Sequence, residues 1–111
     1  MSEKQKLLIV DDSELNRDIL KEILGSSYDY LEAENGTQAI QILEVHPEID
    51  LMLLDINMPQ MNGFQVLEHM RELQWIDEVP VVMISSEESV EIMRKAYDLG
   101  ITDYISRPFD A

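Results

Sequence analysis

What most restricts the fold of this chain is a pattern that recurs along its whole length. A short apolar run is followed by a turn, and then by apolar residues at helical spacing. Lys6 to Val10 is the first such run, ending in Asp11 and Asp12. Leu15, Ile19, Leu20, Ile23 and Leu24 then recur with a helical period, and Gly25 follows as a C-terminal stop. Tyr28 to Ala33 reads as a second strand, and Asn35 caps a helix with Ala39, Ile40 and Leu43 on its apolar face. Ile49 to Leu54 is nearly unbroken apolar, as in a strand buried on both faces, and Asp55 ends it. Phe64, Leu67, Met70 and Leu73 mark a third helix. Val79 to Ile84, with Pro80 near its start, marks a fourth strand. Ser86 is placed to cap a fourth helix carrying Val90, Met93, Ala96 and Tyr97, with Gly100 beyond its end. Ile101 to Ile105 is the last strand, and Pro108 ends regular pairing.

Strands alternating with helices predict an α/β fold with a parallel sheet, right-handed crossovers and helices on both faces. The 111 residues suffice for one such domain, residues 1–111, and not for two. In these sheets ligands gather beyond the carboxyl ends of the strands, where strand order reverses. The residues to collect are therefore those that end strands one, three, four and five.

Composition narrows the chemistry. Twenty-three acids against eight lysines and arginines give a formal net charge of −15, which argues against direct nucleic-acid binding. The chain has no cysteine, so thiolate metal sites and disulfides are excluded. The apolar runs are too short to span a bilayer, and no stretch of signal-peptide length follows Met1. No membrane association is expected, and the default expectation is a cytoplasmic protein.

The strand ends are chemically coherent. Asp11 and Asp12 end the first, Asp55 the third, Ser85 the fourth, and Ser106-Arg107-Pro108 the fifth. Three carboxylates gathered in a small volume repel one another unless a cation sits among them. An all-oxygen donor set suits Mg²⁺ or Mn²⁺. The competing structural explanation, that each acid only caps a helix, accounts for them singly and not for their convergence. A cation beside a carboxylate, a hydroxyl and a fixed positive charge resembles a phosphoryl-transfer site, with Asp55 as the nucleophile.

Four pieces in order then resemble one family. They are Asp11-Asp12 after an apolar strand, Leu-Leu-Asp55-Ile-Asn-Met-Pro-x-Met-Asn-Gly, Ser85 after Val-Val-Met-Ile, and Asp-Tyr104-Ile-Ser-Arg-Pro-Phe. Together they resemble the receiver (phosphoacceptor) domains of two-component response regulators, of the CheY-like chemotaxis type, from about residue 6 to Phe109. The resemblance implies a doubly wound, flavodoxin-like sheet of five strands in the order 2-1-3-4-5. It also implies a phosphorylation-activated signalling switch. Asp55 would take a phosphoryl group from a sensor histidine kinase or phosphotransfer protein. Asp11, Asp12, Asp55 and the backbone carbonyl of Asn57 would hold Mg²⁺ or Mn²⁺. Ser85 and Arg107 would contact the phosphoryl group, and Tyr104 would turn inward behind it. Asn57 and Glu87 match positions that tune phosphoryl lifetime, and Gly63 matches a family glycine where positive φ is tolerated. Further partners implied are an output domain, on the same chain or separate, and a second copy of the chain. Catalysis would be confined to its own phosphorylation and dephosphorylation.

Two departures bear on this. Arg107 stands where the family usually has lysine, and a planar guanidinium is not a compact ammonium. A phosphorylation-independent pseudo-receiver serving as an interaction module is therefore the alternative reading. The chain also ends at Ala111, before the family's fifth helix, so the fold is expected to lack that helix and to be the N-terminal part of a longer protein. An aspartate-nucleophile phosphatase fits less well, because Asn57 stands where such enzymes carry a second acid. A flavin or nucleotide carrier is opposed by the acidic Asp11-Asp12-Ser13-Glu14. His46 and His69 read as surface residues, the methionines as core filler, and Ile92 as lying off the core face. Trp75 acquires no role.

Overall fold

The computed structural model describes residues 4–58, 61–86 and 89–106. Arg107, Pro108, Phe109 and Glu87 lie outside them. The elements alternate as expected: β1 (Gln5–Val10), α1 (Glu14–Leu24), β2 (Tyr28–Ala33), α2 (Gly36–Val45), β3 (Leu51–Asp55), α3 (Gly63–Glu72), a 3-10 turn (Trp75–Asp77), β4 (Val81–Ser85), α4 (Val90–Asp98) and β5 (Asp103–Ser106). Five parallel strands form one sheet in the order β2-β1-β3-β4-β5. This is the doubly wound topology, and the order reverses beside β1.

The helices begin where side chains replace missing backbone partners. Ser13 caps α1 by accepting from Asn16 N–H, Asn35 caps α2 from Gln38 N–H, and Asn62 forms a reciprocal capping box with Gln65 on α3. Ser86 does not cap α4. Ser89 occupies that position, so the helix starts three residues later than its sequence suggests. Gly25 ends α1 at φ 86° and ψ −169°, a positive-φ conformation that glycine adopts without a Cβ penalty.

The larger core cluster lies on one face of the sheet. Leu8, Val10, Met52, Leu54, Val81 and Met83 meet Ala39, Leu43, Val66, Leu67, Met70 and Ala96 from α2, α3 and α4. Met52, Met58, Met70 and Met83 are all buried, as filler should be. Trp75 packs against the edge of this cluster. On the other face Ile9, Leu53 and Ile84 pack with Leu20 of α1.

On two helices the sheet uses only part of the apolar set that the sequence offers. On α1 the sheet-facing stripe is Arg17, Leu20 and Leu24, while Leu15, Ile19 and Ile23 form a parallel, exposed stripe. On α4 the inward residues are Ile92, Met93 and Ala96. Val90 is 68% exposed and Tyr97 44%. Ile92 therefore belongs to the core margin, not to the outer surface. Both helices carry more apolar residues than one face can bury, and packing against the sheet decides which are used.

Candidate functional site

At the carboxyl edge of the sheet, register brings the strand ends level. Val10 pairs with Leu54, so Asp11 follows beside Asp55; Asp55 pairs with Ile84, so Ser85 follows it on β4. Oxygens of Asp11, Asp12 and Asp55 lie within 4.8 Å of one another. Asp11, Asp55 and Ser85 are buried, at 1%, 5% and 0% exposure, whereas Asp12 is open to solvent. Three acids at this spacing, two of them withdrawn from water, can hold a metal ion. The donors are all hard oxygens, which fits a small divalent cation rather than a thiophilic one. Asn57 lies exposed just after Asp55, and its carbonyl is the further ligand expected from the sequence.

The main chain around these acids is tightly tied. Asp11 N–H donates to Ala33 O at 3.1 Å, extending the β1–β2 ladder by one residue. Its Oδ1 accepts from Ser13 N–H at 2.9 Å. Arg17 and Glu32, neither noticed in the sequence, join this network: the Arg17 guanidinium donates to Asp11 O and to Glu32 Oε1. The available signal was a basic residue five positions after the acid pair, in a chain with only eight lysines and arginines. Glu32 also accepts from Lys21 Nζ at 2.9 Å. The Lys21 bond, then that from Arg17, hold the Glu32 carboxyl below its ordinary range.

Gly63 has a different role from the one expected. Its φ is not positive; what it provides is close approach. A Cβ there would lie 2.6 Å from Asp55 O and 2.9 Å from Ile56 Cα, so only glycine lets α3 start directly beneath the loop after β3. Tyr104 lies inward, 8% exposed, in the main core on β5, where Met83 pairs with it. His46 bonds Glu48 at the opposite end of the sheet and has no place in the site.

The response regulator receiver domain family matches residues 7–111. The chain belongs to that family. This receiver is 36% identical over 106 residues to the chemotaxis protein CheY1 of Helicobacter pylori, covering 94% of this chain and 86% of that protein. Among solved structures it resembles Vibrio cholerae CheY4, with a TM-score of 0.87, 28% identity, and 97% and 90% of the two chains covered. It also resembles the CheY of a CheX–CheY–BeF3–Mg²⁺ complex from Borrelia burgdorferi, at a TM-score of 0.88 and 30% identity over 96% and 80%. The receiver is thus a module of two-component signalling. No helix among its described residues is long and apolar enough to cross a membrane.

Proposed function

We propose that this receiver is a phosphorylation-activated switch that takes a phosphoryl group on Asp55. The observation that carries the reading is the convergence of Asp11, Asp12 and Asp55 beside the buried Ser85 at one sheet edge. A carboxylate oxygen of Asp55 attacks phosphorus in line. The P–N bond of a histidine-kinase or phosphotransfer-protein phosphohistidine breaks, its electron pair stays on the imidazole, and an acyl phosphate forms. Asp11, Asp12, Asp55 and the Asn57 carbonyl would hold Mg²⁺ or Mn²⁺, which when bound neutralises charge on the transferred oxygens. The Ser85 hydroxyl donates to one phosphoryl oxygen and Arg107 supplies a cation to another.

The signal leaves through Tyr104 and the surface of α4 and β5 toward an output domain or partner. Such a device needs two states whose balance the phosphoryl group shifts. Its catalysis is confined to its own modification, and its setting is the cytoplasm, where kinase phosphohistidines are presented.

Intact-mass spectrometry after incubation with acetyl phosphate and Mg²⁺ tests the reading. One phosphoryl adduct is expected in the wild type and none in Asp55→Asn. A folded wild type that takes no adduct would refute it and favour the pseudo-receiver. An adduct regained by Arg107→Lys would then place the defect at that guanidinium.

A further inference from the structure

We propose that Arg17 is a positioning residue for the acidic site, fixing the peptide plane that joins Asp11 to Asp12. The inference rests on the reading that these acids hold a divalent cation. Arg17 lies on the sheet-facing stripe of α1, its side chain only 8% exposed, where Leu20 and Leu24 are the apolar occupants. Its Nη1 donates to Asp11 O at 2.5 Å and its Nε to Glu32 Oε1 at 2.9 Å. One guanidinium thereby links three elements: α1, the end of β1, and β2.

The carbonyl it grips belongs to the peptide between the two acids. Holding that plane sets the directions in which both carboxylates project. The peptides on either side of that plane, and the Asp11 side chain, are held as well. Ser13 N–H donates to Asp11 Oδ1, Arg17 N–H donates to Ser13 O at 3.1 Å, and Asp11 N–H donates to Ala33 O. Arg17 is itself held, because Lys21 Nζ at 2.9 Å occupies the other oxygen of Glu32.

Fold stability alone does not explain an arginine here. A buried ion pair is often no more stabilising than apolar side chains of similar volume, and the neighbouring positions on this stripe are leucines. Nor would lysine substitute, since one ammonium cannot reach a carbonyl and a carboxylate in the same planar geometry. The residue makes sense as a member of the outer shell that orients metal-holding groups.

The test uses the intact chain with Mg²⁺ alone, titrated calorimetrically, and amide hydrogen exchange at Asp12 and Ser13 in EDTA. Arg17→Met is expected to weaken Mg²⁺ binding by about tenfold or more and to speed exchange at Ser13. Arg17→Lys should restore only part of either. Glu32→Gln should shift both in the same direction by less, and it carries the test if Arg17→Met does not fold. Lys6→Met removes the same unit of charge at the far end of β1 and should leave both readouts at wild-type values. Folded Arg17→Met that binds Mg²⁺ as the wild type does would overturn the proposal. So would unchanged binding and unchanged Ser13 exchange in Glu32→Gln. If the wild type itself binds no Mg²⁺, the cation reading fails. The exchange data then decide the positioning role alone, acceleration supporting it and no change refuting it.

Discussion

Replacing Asp55 by asparagine should make the metal-free protein more stable, although it removes the proposed phosphoacceptor. Oxygens of the three acids lie within 4.8 Å of one another. At about that separation two unit charges repel by roughly 3.5 kcal/mol at an effective dielectric constant near 20, and by roughly 0.9 kcal/mol in water. Asp55 and Asp11 are both buried, so their pair lies nearer the first figure, while exposed Asp12 lies nearer the second. Hydrogen bonds such as Ser13 N–H to Asp11 offset part of this. Partners of Asp55 itself, which the variant also weakens, offset more, and a net gain of about 1–2 kcal/mol for Asp55→Asn is the expected outcome. The assay is urea unfolding in EDTA at fixed ionic strength, where such a gain moves the midpoint upward by roughly 1 M. Glu22→Gln, exposed on α1, controls for the general relief of a −15 chain. With saturating Mg²⁺ the wild type gains the linkage term that the variant largely lacks, about 2.7 kcal/mol at a hundredfold excess over Kd, so the gap should close or invert. An Asp55→Asn protein no more stable than Glu22→Gln in EDTA would refute the reasoning, because carboxylates at this spacing would then not be in net repulsion.

Gly63→Ala should destabilise by about 2–3 kcal/mol, since the new methyl meets backbone that cannot swing aside. Gly25→Ala has open space but a backbone at φ 86° and ψ −169° that residues with a Cβ scarcely adopt, so it should cost about 1–3 kcal/mol through strain alone; a urea midpoint unchanged in either variant would contradict the corresponding argument. Glu48, at the opposite sheet end, has its carboxyl pulled down from 4.5 to about 2, first by its bond to His46 and then by Lys6. Its folded pKa lies below the unfolded one, so its contribution is present above about 4.5 and lost as pH falls toward about 2. His46→Ala should return the Glu48 titration, followed by NMR, toward the ordinary range; a value still near 2 would mean another cause.

Much of this architecture was legible in the chain, and what was not has common physical causes. Strand count and the alternation with helices follow from runs such as Leu51 to Leu54, too short for helices and too apolar for an exposed sheet. Strand limits were blurred because burial outlasts pairing. Ile49 and Ile101 are buried yet precede the strands they were assigned to. Which apolar residues of α1 and α4 turn inward is not legible in the chain, because each helix carries more of them than one face can bury, and only the sheet selects Leu20-Leu24 over Leu15-Ile19-Ile23. The site acids were found because a general rule says where strand ends converge. Arg17 was missed for the converse reason. A lone charged residue within a helical pattern reads as solvated until its partners from β1 and β2 are known. Gly63 likewise shows only as a glycine; whether it provides positive φ or close approach is a property of the Asp55 backbone beneath it.

The distribution of conflict and agreement within the molecule bears on its use as a switch. Over the main core, local pattern and packing agree: Leu8, Met52, Leu54, Leu67 and Met83 are fully buried in the cluster their periodicity suggests. Conflict is concentrated at the carboxyl edge, where three acids meet and an arginine is buried to hold the peptide between two of them. Sites that break a local rule while the surroundings obey it are where function is expected. Here the conflict has a direction. If the acids hold a cation as proposed, relief of their mutual repulsion adds to its binding, and metal occupancy and local order are thermodynamically linked. A rigid mount for Asp11 and Asp12 prevents the acids from escaping one another by local rearrangement. Without it, repulsion would be relieved by loosening the edge, and a cation would have to reorder that edge on binding. With Arg17 in place the repulsion stays available as a driving force for cation binding.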